Sequence, residues 1–110
     1  MGKINYSQDS IRDMEQIGDY ISDTLKNPNA ALNTVEMIQS KIEKLEGSPY
    51  IGVPLSSHLE TDTDYRFLIC GNYLAFYRVQ ENKAFIDRIM YSKQDYLSVL
   101  LRDLTVCHEE

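Results

Sequence analysis

The fold is decided by YRFLICGNYLAFYRV, residues 65–79, together with KAFIDRIMY, residues 83–91. Both segments are rich in aromatic and β-branched residues, which favour strands. Turn signals at Gly71-Asn72 and at residues 80–82 divide them into three apolar runs. The sequence therefore predicts three consecutive antiparallel strands in the second half of the chain.

The register of the first predicted hairpin is left open by the sequence. With a two-residue turn, Arg66 lies opposite Tyr77, while Tyr65 and Phe67 share the other face of the sheet with Arg78. A three-residue turn with a bulge would shift every pairing by one residue. The sequence alone does not determine which arginine shares a face with which tyrosine.

Two helices are predicted before these strands. Ser10 to Asp13 fits a capping box, so the first helix is expected to begin there and to end at Asn27. Pro28 suits the first position of a second helix, which Gly47 would stop. Steps of three and four residues place one apolar stripe on each helix. The stripes are Ile11, Met14, Ile17, Ile21 and Leu25 in the first helix, and Ala31, Val35, Ile38, Ile42 and Leu45 in the second.

The remaining segments complete an α+β domain. Residues 3–7 are a strand candidate, and residues 48–64 have the composition of a long ordered loop. Residues 92–104 predict a short C-terminal helix, and residues 105–110 are expected to fray. The predicted fold is an N-terminal strand, an antiparallel helical hairpin packed on a small, mainly antiparallel sheet, and the C-terminal helix. We interpret residues 1–110 as a single domain.

Composition places the chain among ordinary globular domains. It has 110 residues, of which 43% are hydrophobic and 25% charged. No run of 18 apolar residues is present, and the N-terminus lacks the pattern of a signal peptide, so we expect a cytoplasmic protein with no membrane association. Cys70 and Cys107 show no pattern of a disulfide framework or metal site, and both are expected to be free thiols.

Charge is distributed unevenly along the chain. The net charge of −6 argues against a general nucleic-acid binder, because phosphate affinity needs clustered lysine and arginine. Residues 1–62 contain five basic and ten acidic side chains, whereas residues 66–102 contain six basic and three acidic ones. The helical half is therefore acidic, and the strand half is mildly basic.

Three sequence segments in this order resemble the RelE/ParE toxin superfamily of bacterial type II toxin–antitoxin modules. They are SIRDMEQIGDYISDTLKNPNAA at residues 10–31, YRFLICGNYLAFYRV at residues 65–79 and RIMYSKQDYLSVL at residues 88–100. The similarity extends over nearly the whole chain. It implies a small cytoplasmic toxin that is held inactive by a cognate antitoxin, which wraps the toxin surface and binds operator DNA.

The resemblance implies two different mechanisms within the superfamily. RelE-like members cut mRNA in the ribosomal A site without a metal or other cofactor, whereas ParE-like members poison DNA gyrase and are not nucleases. RNA cleavage by the 2′-hydroxyl needs a base, a cation that stabilises charge on the phosphate, and an acid for the leaving oxygen. If the chain is a nuclease, the resemblance points to Arg66, Tyr91 and Lys93 for these catalytic roles, and the basic balance of residues 66–102 adds Arg88 to them.

Several positions depart from the nuclease pattern. Leu68 and Leu74 stand where RelE-like enzymes have basic residues, and Gln94 replaces the second of two arginines after the last strand. Losing cations that stabilise the transition state would slow cleavage strongly. Three hypotheses therefore stay open: a ribosome-dependent mRNA endonuclease, a gyrase inhibitor, and a silent toxin kept as the antitoxin's partner.

Other polar residues of the strands have structural interpretations. Strand arginines such as Arg66 and Arg88 are common salt-bridge partners, and Asp87 is expected to pair with a strand arginine. Tyr73 and Tyr77 are expected to pack in the core or at its rim, with their hydroxyl groups hydrogen-bonded.

Overall fold

A computed structural model describes residues 4–58 and 63–92 of the chain. The described strands form one five-stranded sheet in the order β1-β5-β4-β3-β2, in which β1 is parallel to β5 and the other neighbours are antiparallel. The predicted α+β fold is confirmed, with α1 and α2 packed on one face of the sheet. The predicted C-terminal helix lies outside the described residues. The elements are β1 (Ile4–Tyr6), α1 (Gln8–Asp19), α2 (Pro28–Glu43), β2 (Val53–Pro54), β3 (Arg66–Cys70), β4 (Tyr73–Gln80) and β5 (Lys83–Tyr91).

The two helices begin at side-chain caps. The predicted capping box at Ser10 was wrong, because α1 is capped one turn earlier by Ser7, whose Oγ accepts the N–H of Ser10 at 3.0 Å. The Ser7 hydroxyl also donates to the carbonyl of Asp87 at 2.7 Å, which fixes this cap against β5. The predicted start of α2 at Pro28 is confirmed, and Asn27 caps it by accepting the N–H of Ala30 at 3.1 Å.

The helix stripes form the core against the sheet, with two exceptions. Ile11 is 45% exposed and Leu25 is 57% exposed, contrary to the predicted stripe of the first helix. Residues Tyr20–Thr24 form a wider, π-helical turn, and the additional residue in that turn shifts Leu25 out of phase with the stripe. Ile11 lies at the edge of the groove between the helices. The buried members of this core are Met14, Ile38, Ile42, Leu45, Cys70, Ala75, Tyr77, Ala84, Ile86 and Ile89.

The hairpin between β3 and β4 has the register of a two-residue turn. Arg66 pairs with Tyr77, and Gly71 adopts a φ of 64°, which favours glycine. A bulge interrupts the pairing of β4 with β5, because Phe76 pairs with Arg88 whereas Tyr77 pairs with Ile86. The bulge breaks the alternation of side chains along β5.

The other face of the sheet carries a second apolar cluster. Its buried members are Leu55, Tyr65, Phe67, Leu74, Phe76 and Met90. Leu55 belongs to a segment that the sequence predicted to be a loop, and part of that segment forms β2, which pairs with the first residues of β3. Two residues are too few for a strand pattern to be visible in the sequence. Within residues 4–58 and 63–92, no helix has the length and apolar character needed to cross a membrane.

Candidate functional site

A cleft lies between the helical hairpin and the end of the sheet where β4 begins and β5 ends. Its volume is about 720 Å³, and three tyrosines line it from three parts of the chain: Tyr20, Tyr73 and Tyr91. Arg88 and Asp13 form part of the same wall. We call this feature the tyrosine cleft.

The tyrosines come together because of the strand register. Tyr73 and Tyr91 are directly paired on β4 and β5, and their ring centroids are 5.7 Å apart with the rings tilted by 58°. Tyr20 enters from the π-helical turn after α1. Burial raises the pKa of Tyr73, and the neighbouring hydroxyl groups of Tyr91 and Tyr20 raise it further. Tyr73 therefore stays neutral at physiological pH and can both donate and accept hydrogen bonds.

Arg88 is held by Asp13 on the wall of this cleft. Its Nε donates to Oδ2 of Asp13 at 2.8 Å, and a terminal nitrogen donates to Oδ1 at 3.2 Å. Oδ2 also accepts the backbone N–H of Ile89 at 2.9 Å. The bulge makes this possible, because it turns both Arg88 and Ile89 toward the helices. The positive charge of Arg88 is thus balanced within the fold, with only 23% of its side chain exposed.

Arg66 begins β3 and pairs with Tyr77 in the middle of β4, away from the tyrosine cleft. One of its terminal nitrogens donates to the carbonyl of Gly52 at 2.8 Å and to that of Tyr50 at 3.2 Å. The guanidinium also lies over the Tyr50 ring, 5.0 Å from the centroid. Arg66 pairs with Tyr77 and Tyr91 pairs with Tyr73, so the two are a step of four positions apart along β4, or about 13 Å at the rise of a strand.

Tyr77 anchors the same loop from inside the core. Its hydroxyl accepts the N–H of Gly52 at 2.9 Å and donates to the carbonyl of Pro49 at 2.8 Å. Burial raises the pKa of Tyr77, while the Gly52 hydrogen bond and the charge of Arg66 act in the opposite direction. The prediction that Tyr77 is a core residue with its hydroxyl hydrogen-bonded is confirmed.

The prediction that Asp87 pairs with an arginine was wrong. Its carboxylate accepts the hydroxyl of Tyr65 at 2.7 Å, and Arg78 lies over the Tyr65 ring at 5.4 Å from the centroid. Tyr65 reaches Asp87 across the intervening strand, because tyrosine is long enough to bring a hydroxyl to the carboxylate. This contact is part of the second apolar cluster and lies apart from the tyrosine cleft.

The structure brings together two of the four residues assigned to catalysis. Arg88 and Tyr91 line the tyrosine cleft, Arg66 lies outside it, opposite the middle of β4, and Lys93 is outside the described residues. Tyr91 is 42% exposed. Among residues 4–58 and 63–92, no group of histidine, cysteine, aspartate and glutamate side chains is arranged to hold a metal ion.

Sequence reasoning missed three members of the cleft: Asp13, Tyr20 and Tyr73. A signal for Asp13 is present, because it continues the row of Ile17 and Ile21 at steps of four and therefore faces the sheet. A carboxylate on that face needs a partner, and Arg88 supplies it. No comparable signal exists for Tyr20, because its place depends on the π-helical turn.

Comparisons with known proteins identify the family and the fold. Residues 4–96 match the family described as the ParE toxin of the type II toxin–antitoxin system parDE. The fold is similar to a structure titled "Chromosomal ParDE TA system from P. aeruginosa", with a TM-score of 0.69 and 21% identity over 84% of this chain and 98% of the other. The intact E. coli RelBE toxin–antitoxin complex aligns less well, with a TM-score of 0.48 and 15% identity over 86% of this chain and all of the other. None of the curated protein sequences is significantly similar to the chain.

Proposed function

The chain belongs to the ParE family of type II toxin–antitoxin toxins, and we propose that it stops growth by binding DNA gyrase rather than by cutting RNA. Its place of action is the cytoplasm, where a cognate antitoxin neutralises it. The family membership supports the toxin role. The choice between the two mechanisms rests on the arginines of the sheet.

The observation that carries this choice is the pairing of Arg88 with Asp13. A nuclease needs cations directed at the phosphate that is cleaved, and a guanidinium already bound by a carboxylate on two nitrogens is poorly placed for that role. Arg66 is also engaged, by two loop carbonyls and the Tyr50 ring. Leucines at residues 68 and 74 remove two further basic positions of the nuclease pattern.

The test compares two activities of the purified chain. We expect loss of supercoiling when the chain is added to gyrase and relaxed plasmid, and no new mRNA ends when it is added to translating ribosomes. Relaxation of the negatively supercoiled form of the plasmid by topoisomerase I is the control for a general effect on DNA. Intact supercoiling at a large molar excess of the chain would refute the gyrase proposal.

The nuclease is the second candidate, because Arg88 and Tyr91 do line one cleft. Replacing Arg88 would not separate the two mechanisms, since its side chain also holds the fold together through Asp13. The informative variant is Tyr91→Phe with Lys93→Gln, which removes the tyrosine hydroxyl and the lysine from the four residues assigned to catalysis. We expect it to arrest growth like the native chain, with Lys26→Gln as the control for a lost charge. Restored growth and intact mRNA would favour the nuclease instead.

A silent toxin predicts a different result from both mechanisms. Expression of the chain without its antitoxin would then leave growth, DNA synthesis and protein synthesis unchanged. Under our proposal DNA synthesis fails first, and under the nuclease alternative protein synthesis fails first. Pulse labelling of both over the first minutes after induction distinguishes the three.

A further inference from the structure

The loop that follows α2 carries an inference about the surface with which this chain binds its target. Two large apolar side chains of this loop are exposed, Tyr50 to 58% and Ile51 to 49%. They belong to a stretch, residues 47–58, that contains no lysine, arginine, aspartate or glutamate. We call residues 48–52 the anchored loop.

The backbone of the anchored loop is fixed from two sides. Tyr77 holds it from the core and Arg66 holds it from β3, through four hydrogen bonds in all. Gly52 allows the loop to lie close to β3, since a Cβ atom at this position would be 2.8 Å from the carbonyl oxygen of Phe67. The loop is therefore a rigid part of the fold rather than a loose connection.

This rigid backbone carries apolar side chains that the fold does not bury. The guanidinium of Arg66 lies over the Tyr50 ring, 5.0 Å from its centroid, which orients the exposed ring. Tyrosine is enriched where proteins bind each other, and side chains that are ordered before binding lose less conformational entropy when they bind. An ordered aromatic and aliphatic pair with no charge beside it in the loop has the character of an interface anchor.

From this geometry we infer that Tyr50 and Ile51 insert together into an apolar pocket of DNA gyrase, so that the anchored loop is part of the gyrase-binding surface. The inference rests on the proposed function, since it takes gyrase as the partner. The two side chains offer on the order of 200 Å² of surface, against about 800 Å² per partner in a standard interface, so they form the centre of a larger contact. Because the loop is uncharged, burial of apolar surface supplies the affinity there.

Two other occupants fit the anchored loop less well. A nucleic acid needs cations for its phosphates, whereas the loop has none of its own, and Arg66 already covers one face of the ring on which a base would stack. A second copy of the chain, meeting the loop with its own, would bury only about 400 Å² in total, below the roughly 1,200 Å² of a stable interface. A pocket on a larger protein meets neither obstacle.

The first experiment measures binding of the full chain to purified gyrase by biolayer interferometry. Tyr50→Ser with Ile51→Ser is expected to weaken binding at least about tenfold, because it removes both anchors. The concentration that halves supercoiling should rise by the same factor. Unchanged affinity of this loop variant would overturn the inference.

A matched variant controls for general loss of apolar surface. Leu32→Gln with Ile69→Thr removes two side chains that are 60% and 58% exposed, on α2 and β3, with replacements that suit a helix and a strand. Its affinity for gyrase should change less than about twofold. Equal losses in the two double variants would mean that any exposed apolar side chain contributes, and the inference would fall.

The role of anchoring is tested by Tyr77→Phe, which keeps Tyr50 and Ile51 but frees the backbone at Pro49 and Gly52. We expect binding to gyrase to weaken about threefold to tenfold, because the loop must then be ordered during binding. The control is Ile38→Val, which removes a methyl group from the fully buried core and leaves the hydrogen bonds of the loop in place. It should bind like the native chain. Native affinity of Tyr77→Phe would contradict the preorganised surface.

The loop variant also separates the possible partners. Its binding to a 12-nucleotide RNA and to the cognate antitoxin, and its mass by sedimentation, are compared with those of the native chain. Loss of RNA binding, of antitoxin binding or of a self-dimer, with gyrase binding intact, would assign Tyr50 and Ile51 to that partner and overturn the inference. A native chain that neither binds nor inhibits gyrase refutes the proposed function and this inference together, whereas a loop variant that still binds and inhibits gyrase refutes the inference alone.

Discussion

The carboxylate of Asp13 holds Arg88 across the interface between α1 and β5, and it accepts the Ile89 N–H in the same arrangement. Only 11% of the Asp13 side chain is exposed. This contact joins the first helix to the last described strand at the bulge, beside the tyrosine cleft. The same side chains therefore bear on stability and on the choice of mechanism.

Replacing Asp13 should destabilise the fold strongly. Asp13→Ala removes the carboxylate that accepts from the Arg88 guanidinium and from the Ile89 N–H, and we expect a loss of about 2–4 kcal/mol in the free energy of unfolding. Asp13→Asn should lose less, because the amide oxygen can still accept from Ile89. Urea unfolding measures both. The control is Arg12→Gln, which breaks an exposed ion pair with Asp9 and should cost less than about 0.5 kcal/mol. Equal effects of Asp13→Ala and Arg12→Gln would contradict this view of the bridge.

The hydroxyl of Tyr77 should contribute measurably to stability. Tyr77→Phe keeps the buried ring and removes the acceptor for Gly52 and the donor for Pro49, so we expect a loss of about 1–3 kcal/mol. Tyr91→Phe is the matched control, because Tyr91 is 42% exposed, and its loss should stay below about 0.5 kcal/mol. Both variants are unfolded in urea in parallel. Equal unfolding midpoints would contradict the prediction.

The order of elements could be predicted because each carries its own period. Alternation and turn residues indicate β3, β4 and β5, and Asn27-Pro28 marks the boundary between the helices. The site could not be predicted in the same way. It depends on the bulge, which turns Arg88 and Ile89 to one side, and on the π-helical turn, which places Tyr20 in the cleft. Both are additions of one residue to a regular repeat, and the tertiary packing rather than the local pattern decides where they occur.

Ionisation of the buried Cys70 thiol should lower the free energy of unfolding at alkaline pH. Burial raises the pKa of its thiol from 9.0 to about 11, and the charge of Lys41 offsets this only in part. Between these values the folded chain keeps a proton that the unfolded chain has lost, so the contribution of Cys70 is complete below pH 9 and disappears as pH rises through about 11. The full loss in the free energy of unfolding amounts to about 2–3 kcal/mol.

The measurement is urea unfolding from pH 8 to pH 11 in a Cys107→Ser background, which leaves Cys70 as the only thiol. Burial also raises the pKa values of Tyr6, Tyr73 and Tyr77, so some alkaline loss will remain without the thiol. Cys70→Ala isolates the cysteine, and its stability should fall less steeply over this range. Parallel pH curves for the two chains would show that the thiol does not contribute.

Arg66 should act on the loop that follows α2 rather than as a simple positive charge. It bridges the carbonyls of Tyr50 and Gly52, and a lysine, whose compact ammonium lacks the planar guanidinium, cannot reproduce that bridge together with the stacking on Tyr50. Arg66→Lys and Arg66→Met should therefore both speed amide exchange in residues 50–53 and lower stability by about 1–2 kcal/mol. A role as a phosphate-binding cation predicts a different pattern, in which Arg66→Lys keeps toxicity and only Arg66→Met loses it. Growth arrest is measured at a temperature where both variants are folded. If Arg66 only anchors the loop, both variants should arrest growth equally. Arrest by the lysine variant alone would return Arg66 to the residues assigned to catalysis.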